Sequence, residues 1–421
     1  MTNALVPGLG GPMGHHARPR GIWFDALPWA VAVGTASFLV LFLRHTLCVQ
    51  TEVGVDVNAY ARLCYSDVQT MVRGLALSAG ASPFDGSTLA VAPLVGVLLL
   101  GGVAVARLVG IPVGPTATDQ QQLDASVVAV GAVTVAFYVC FLVWIVTSAR
   151  WGRMAPGRPS WVAMLVAASP IVAASGLVSW DLLPVALTSA ALGLLSRGRA
   201  MEAGIILGLA ASAGTMPIGI ALAVTVGAWL RGAWPAAVRV GVPALVTWLV
   251  VHAPLLATRP GAVFAFYHGE VHKERGYGSL WYLLELLGKP VRHAGSLAFV
   301  MLAVFLLAGI AYLYVTRRRP HDASLIAVVV LAAVVGGPSF PPQTSLWVLL
   351  VVLLARPFRP ELIAATVAHV GYYLAIWGWL AGSLTLTQYG PYGVYWGAII
   401  VRTAVDTWIL LLALRDTRAA A

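Results

Sequence analysis

The segment from 293 to 315, HAGSLAFVMLAVFLLAGIAYLYV, contains no Asp, Glu, Lys or Arg. A run of roughly 20 such residues is long enough to cross the hydrocarbon core of a bilayer as one helix. Nine further apolar segments fall near 24–47, 126–148, 160–178, 182–196, 241–257, 323–338, 345–355, 362–382 and 393–414. Inside lipid every backbone N–H and C=O needs an internal partner, and a helix supplies them within one segment. The pattern predicts an all-α polytopic membrane protein. Several segments are short for a full crossing, so broken or tilted helices are expected, about 10–13 transmembrane or re-entrant helices in all.

Composition agrees. Of 421 residues 59% are hydrophobic and 10% charged, with mean hydropathy +0.86, too oily for a water-soluble chain of this length. The net charge of +10 comes from 24 Arg and 2 Lys, scattered in small groups between apolar segments. That distribution suits topology signals rather than a nucleic-acid surface, and no nucleic-acid partner is expected.

The basic groups are Arg18/Arg20, Arg150/Arg153/Arg158, Arg197/Arg199, Arg231/Arg239, Arg317/Arg318/Arg319, Arg356/Arg359 and Arg415/Arg418. Cytoplasmic loops collect such residues, and all of these groups can be cytoplasmic at once. The condition is that 88–112 and 200–230 each enter and return on one side. Gly101-Gly102 offers a break in the first, and Ala213-Gly214-Thr215-Met216-Pro217 in the second. The outer segments then hold ten of the sixteen acids, Asp67, Asp85, Asp181, Glu270, Glu274 and Glu285 among them. The polar chemistry gathers on the outer face of a multi-pass plasma-membrane protein.

Residues 1–23, rich in Gly, Pro and His, read as a disordered cytoplasmic N-terminus. The first apolar segment is too long for a cleavable signal peptide and lacks an A-x-A exit, so it reads as a retained anchor. Residues 24–421 form a single transmembrane domain, with a first outer loop at 48–87 and a second at 258–292. Cys48 and Cys64 flank one polar segment, whereas Cys140 sits in an apolar run, so one disulfide, Cys48 to Cys64, is expected.

The first outer loop is long for a connector and interleaves Asp56, Asn58, Tyr60, Arg62, Tyr65, Asp67, Arg73 and Asp85. A carboxylate at the water–membrane boundary acts as a general base when a cation or donor holds it ready; a solvated loop acid is the plainer account. The second loop carries His268, His272, Lys273, Arg275, Lys289 and Arg292 against the positive-inside trend. Such a cationic, aromatic segment suits a phosphorylated lipid headgroup, or its cations simply pair with Glu270 and Glu274. The spacing of His268 and His272 would place two imidazoles on one helical face, but no H-E-x-x-H motif is present and no metal is expected. Asp181, after Trp180, is a lip acid that invites a functional reading, and with Pro184 it equally fits a helix start. Gln343, after Pro341-Pro342, marks a helix boundary or enters a binding cleft. Arg402 and Asp406, four apart in the last span, read as an internal ion pair.

The stretches LCYSDVQTMVRGL, GASPFDG, SWDLLPVALTSAALGLLSRGRAMEAGIILGLA, GYGSLWYLLELLG and PPQTSLWVLLVVLLARPFRP, in this order, are together similar to one family. The chain resembles the polytopic glycosyltransferases of the GT-C superfamily, in the family 87 branch of polyprenyl-phosphate-mannose-dependent mannosyltransferases. The resemblance implies a GT-C-like fold with a helical first outer loop and an active site on the extracytoplasmic face. By it, Asp67 is the catalytic base. Arg73, Asp56, Asp181, His268, His272, Lys273, Arg275 and Gln343 bind substrate, with Arg73 and the 268–275 cations steadying the departing phosphate. The implied partners are a polyprenyl-phosphate sugar donor, a glycolipid or polysaccharide acceptor and membrane lipids, with no cofactor. The chain departs from the family at Ser179, where Asn is frequent, at Gly276-Tyr277, where Asp-Trp is frequent, and near Gly214, where Lys is common. The competing readings are a lipid or solute transporter, and a family member that binds glycolipid without transferring sugar.

Overall fold

The computed structural model describes residues 26–54, 57–151, 159–384 and 393–419. The expectations for 1–23, Asp56, Arg18, Arg20, Arg153 and Arg158 fall outside these residues. Among the described residues there are seventeen α-helices and no strand. Six are long and apolar enough to cross a membrane: Ala26–Thr46, Asp119–Ser148, Trp234–Thr258, Ala294–Val315, Pro360–Leu380 and the C-terminal Gly393–Ala419. Seven shorter apolar helical segments, of 10–17 residues, complete the bundle, and the protein is an all-α polytopic membrane protein. At 14 residues Leu182–Leu195 spans about 21 Å, less than the roughly 30 Å of a hydrocarbon core.

The bundle has two chemically distinct ends. At one, arginines tie neighbouring helices together. Arg231 donates to Asp322 at 2.7 Å, Arg356 to Glu361 and Asp416 at 2.6 Å each, and Arg318 to the Arg418 carbonyl at 2.6 Å. The opposite end carries the long loops, where Arg259 meets the Phe84 carbonyl and Asp85 and so joins the first loop to the second. The basic groups at 231, 318, 356 and 418 thus share one end, as the charge pattern requires.

That arrangement depends on the two excursions. The Gly114 N–H donates to the Ser78 carbonyl at 3.0 Å, so the chain between them leaves and returns to one place. The break expected at Gly101-Gly102 is not there: Pro93–Leu108 runs through both as one helix. A Cβ on Gly102 would press on the Ala129 carbonyl and Val133, so this glycine serves close packing against Asp119–Ser148. The second excursion does break where expected, between Ala200–Ala211 and Met216–Leu230, and its turn accepts the Leu94 N–H at Ser212. Gly204 and Gly208, one turn apart, let their helix lie against the Val240 and Ala244 carbonyls of Trp234–Thr258.

Two of the boundaries that differ from expectation have a local reason. The segment expected at 160–178 is split into Pro159–Ala167 and Pro170–Ser175 by Pro170, which takes the first position of the second piece. The helix expected from 126 begins at Asp119, because a Thr118/Gln121 capping box starts it in polar sequence that hydropathy passes over. Helix Ser345–Ala355 is the centre of the bundle, with every residue from Ser345 to Leu354 buried. A helix apolar on every face belongs inside protein or lipid, and here protein takes it.

Candidate active site

The first loop is fixed to the bundle at several points before it reaches Asp67. Cys48 and Cys64 are bonded, with Cα atoms 5.8 Å apart, so the loop is held to the end of the first span. Tyr373 donates to the Leu63 carbonyl at 3.0 Å. Tyr60, Tyr65 and Trp377 stack in a cluster with ring centroids 5.2–5.6 Å apart. Ser66 is extended, and helix Asp67–Gly74 starts immediately after it. The Asp67 N–H donates to the Val178 carbonyl at 2.7 Å, which docks the helix start on the turn before Asp181.

The Asp67 carboxylate is half-buried and faces a polar group from each neighbouring segment. Gln343 Nε2 donates to its Oδ2 at 3.3 Å. Burial pushes this carboxyl above its ordinary value, while hydrogen bonds from Tyr65 and Ser179 and the charge of Lys273 pull the other way. Tyr65 is raised by its own burial and by Asp67, which keeps the phenol protonated and able to donate. Asp181 stands next to this group. Its Oδ1 accepts from Trp347 Nε1 at 2.8 Å, and its carboxyl is pushed up to about 6, by burial first and by Asp67 as a like charge. The side chain of Asp181 makes no helix-cap bond, so the cap reading gives way to the indole contact. Two carboxyl groups and an amide from three chain segments therefore meet at the loop end, and the charge of Lys273 acts on both acids.

Several residues expected at the site are placed elsewhere. Arg73 is not a partner of Asp67. Six residues of helix separate them, about 240° of rotation, and Arg73 lines a surface groove with Gln50, Gln69, Leu123 and Ser126. Arg275 is engaged by Glu285 at 2.8 Å and by the Val291 carbonyl at 2.7 Å, so it braces the second loop internally. His268 and His272 are exposed and stack on each other at 3.8 Å, with His272 Nδ1 at the His268 carbonyl. Among the described residues no group of three His, Cys, Asp or Glu is arranged to hold a metal. Lys273, 3.8 Å from Glu270, is the second-loop cation whose charge reaches both Asp67 and Asp181.

This placement sets an expected result. Arg73→Ala leaves any activity carried by Asp67 within about threefold and stability within about 0.5 kcal/mol, as for a surface substitution. Turnover and thermal unfolding of the variant check it; a hundredfold loss would restore Arg73 to the site.

Tyr65, Ser179 and Trp347 were not expected among the site residues. Tyr65 lies two positions before Asp67 and Ser179 two before Asp181, so proximity to each acid was the available signal. Trp347 lies one helical turn after Gln343, on the same face.

No protein-family model matches the chain, and no curated protein matches it. Among solved structures, the crystal structure of ArnT from Cupriavidus metallidurans bound to undecaprenyl phosphate is similar at a TM-score of 0.45 and 16% identity. The match covers 93% of this chain and 78% of that one. So loose a likeness carries no argument about this chain's family or chemistry.

Proposed function

We propose that this protein is a membrane glycosyltransferase, an inverting mannosyltransferase that moves a sugar from a polyprenyl-phosphate donor to a cell-envelope glycolipid or polysaccharide. The active site lies on the extracytoplasmic face of the plasma membrane, with the arginine end cytoplasmic. The carrying observation is Asp67: a half-buried carboxylate held by Gln343 beside Asp181, in reach of the Lys273 charge. The ordered resemblance of the sequence to the family 87 transferases supplies the reaction class.

In this reading Asp67 takes the proton of an acceptor hydroxyl as its oxygen attacks the anomeric carbon. The bond from that carbon to the phosphate oxygen breaks, and the phosphate leaves with the electron pair. Lys273 stabilises the charge developing there. Asp67 and Asp181 lie together at the loop end of the bundle, where a carboxylate can serve a reaction at the membrane surface. Profiling lipids and glycans in a deletion strain tests the proposal. Loss of one mannosylated species, restored by the wild-type protein, is expected; an unchanged profile would overturn it.

The carboxyl pair also fixes a pH dependence. A base must be ionised, and Asp67 and Asp181 are both held above the ordinary Asp value near 3.9. Turnover therefore falls as pH drops, with its acid limb above that value. Lys273→Met removes a cation that favours both ionised forms, so the limb moves to higher pH. Stability runs the opposite way: the contribution of Asp181 is fully present below its unfolded value and lost as pH rises through about 6. A pH–rate profile of both proteins checks the sign; a limb that moves down in Lys273→Met would contradict it.

A further inference from the structure

Four buried side chains that take no part in the proposed reaction form one connected chain inside the bundle. Arg402 and Asp406 lie a turn apart on the last helix, 1% and 0% exposed, and Arg402 Nη1 donates to Asp406 Oδ2 at 2.9 Å. Asp406 Oδ1 meets His369 Nε2 at 2.9 Å, and His369 Nδ1 meets Ser345 Oγ at 2.9 Å. The pattern that satisfies both ring nitrogens has Nε2–H donating to Asp406 and Nδ1 accepting from the Ser345 hydroxyl. Replacing such a buried pair by apolar groups commonly costs no stability, so stability alone does not account for it.

Where the chain ends is informative. Arg402 Nη2 donates to the Gly278 carbonyl at 2.9 Å, and its guanidinium lies 3.6 Å from the centre of the Phe340 ring. Ser345 opens the central helix. These three contacts fall on two segments of the loop end, 276–279 and 338–345. The segments bond to each other through Gly276 N–H to Pro338 O at 2.8 Å and Phe340 N–H to Tyr277 O at 2.9 Å. One continues back to Lys273; the other carries Gln343 and leads to Trp347, the partners of Asp67 and Asp181.

We propose that Arg402, oriented by Asp406 and His369, is a positioning residue that sets the segments 276–279 and 338–345, and through the second of them Gln343 and the following Trp347, against the Asp67 and Asp181 carboxylates. The proposal rests on the transferase reading for its kinetic consequence and on the hydrogen-bond geometry for its physical one. A network that merely fills the core would not need contacts to both segments. A displacement of about 1 Å at the reacting groups is enough for a loss on the order of a hundredfold.

The test uses the full chain in lipid nanodiscs with the double substitution Arg402→Met and Asp406→Asn, which leaves no unpaired buried charge. With a polyprenyl-phosphate sugar as probe, kcat is expected to fall roughly 10- to 100-fold while KM stays within about threefold, the mark of an interaction felt in the transition state. Backbone amide exchange at Gly276, Gly278 and Phe340 speeds up, while exchange in Ala294–Val315 is unchanged. Unchanged kcat and unchanged exchange would overturn the proposal, as would faster exchange throughout the bundle. If the wild-type protein transfers no sugar, the transferase reading fails and local exchange alone decides the positioning role.

Discussion

Asp67→Asn is expected to lower sugar transfer by roughly 10²- to 10⁴-fold, the usual contribution of a positioned general base. The substitution keeps the side-chain shape, and the Asn oxygen still accepts from Gln343 Nε2, so donor binding is retained and the loss falls on kcat. The fold is expected to survive for a definite reason. Burial holds the Asp67 carboxyl above its ordinary value, which means its charge is unfavourable in the folded protein at neutral pH. A neutral amide removes that charge, so thermal stability at pH 7 does not drop. The measurement is turnover of a polyprenyl-phosphate sugar by purified wild type and variant, with thermal unfolding alongside. Transfer within about threefold of wild type would exclude Asp67 as the base, because a base cannot be replaced by a group without a free proton-accepting charge.

The outline of the fold was legible because lipid leaves the backbone few choices. Charge asymmetry located the ends of the segments, and the disulfide followed from where Cys48 and Cys64 fall around one polar stretch. Which apolar helix faces protein was not legible. Ser345–Ala355 and Ala294–Val315 are both apolar all round, yet the first is buried from Ser345 to Leu354 while only Ala294, Gly295, Ala298 and Leu313 of the second are buried. Lipid tails and apolar side chains are equivalent surroundings for a leucine, so periodicity carries no signal. Gly101-Gly102 misled for a related reason: a glycine pair in a helix marks either a break or a close approach, and only the neighbouring helix decides which.

At the site, Asp67, Asp181, Gln343 and Lys273 were all recognisable as polar residues at the loop end, but their grouping was not. It depends on contacts between residues far apart in sequence, such as Gln343 with Asp67 and Trp347 with Asp181. Arg73 is the converse case: the resemblance assigned it to the departing phosphate, and helical geometry turns it away from Asp67. Arg275 was a cation in the right loop whose charge is engaged by Glu285 within that loop.

Gly278→Ala is expected to cause the second large loss, about a hundredfold in transfer, although Gly278 touches neither carboxylate. Its φ of +77° lies in the left-handed region, where any side chain costs about 1–2 kcal/mol. That cost alone would be modest. The larger effect comes from space: a Cβ here would collide with the Tyr372 hydroxyl and press on the Phe340 carbonyl, atoms already bonded to each other at 2.7 Å. The Gly278 N–H is held by the Tyr395 hydroxyl at 3.0 Å and its carbonyl by Arg402, so the segment cannot slide aside without breaking one of these. Displacing Phe340 carries the 338–345 segment with it, and Gln343 then leaves Asp67. Gly288→Ala is the control. Gly288 has a φ of +73° and nothing within 4 Å of an added Cβ, so it bears the same backbone cost without the collision. Transfer by Gly288→Ala is expected to stay within about threefold of wild type, in keeping with a strain of only about 1–2 kcal/mol remote from the chemistry. Equal losses in the two variants would mean that backbone strain, rather than the packing of Gly278 against Tyr372 and Phe340, limits the enzyme.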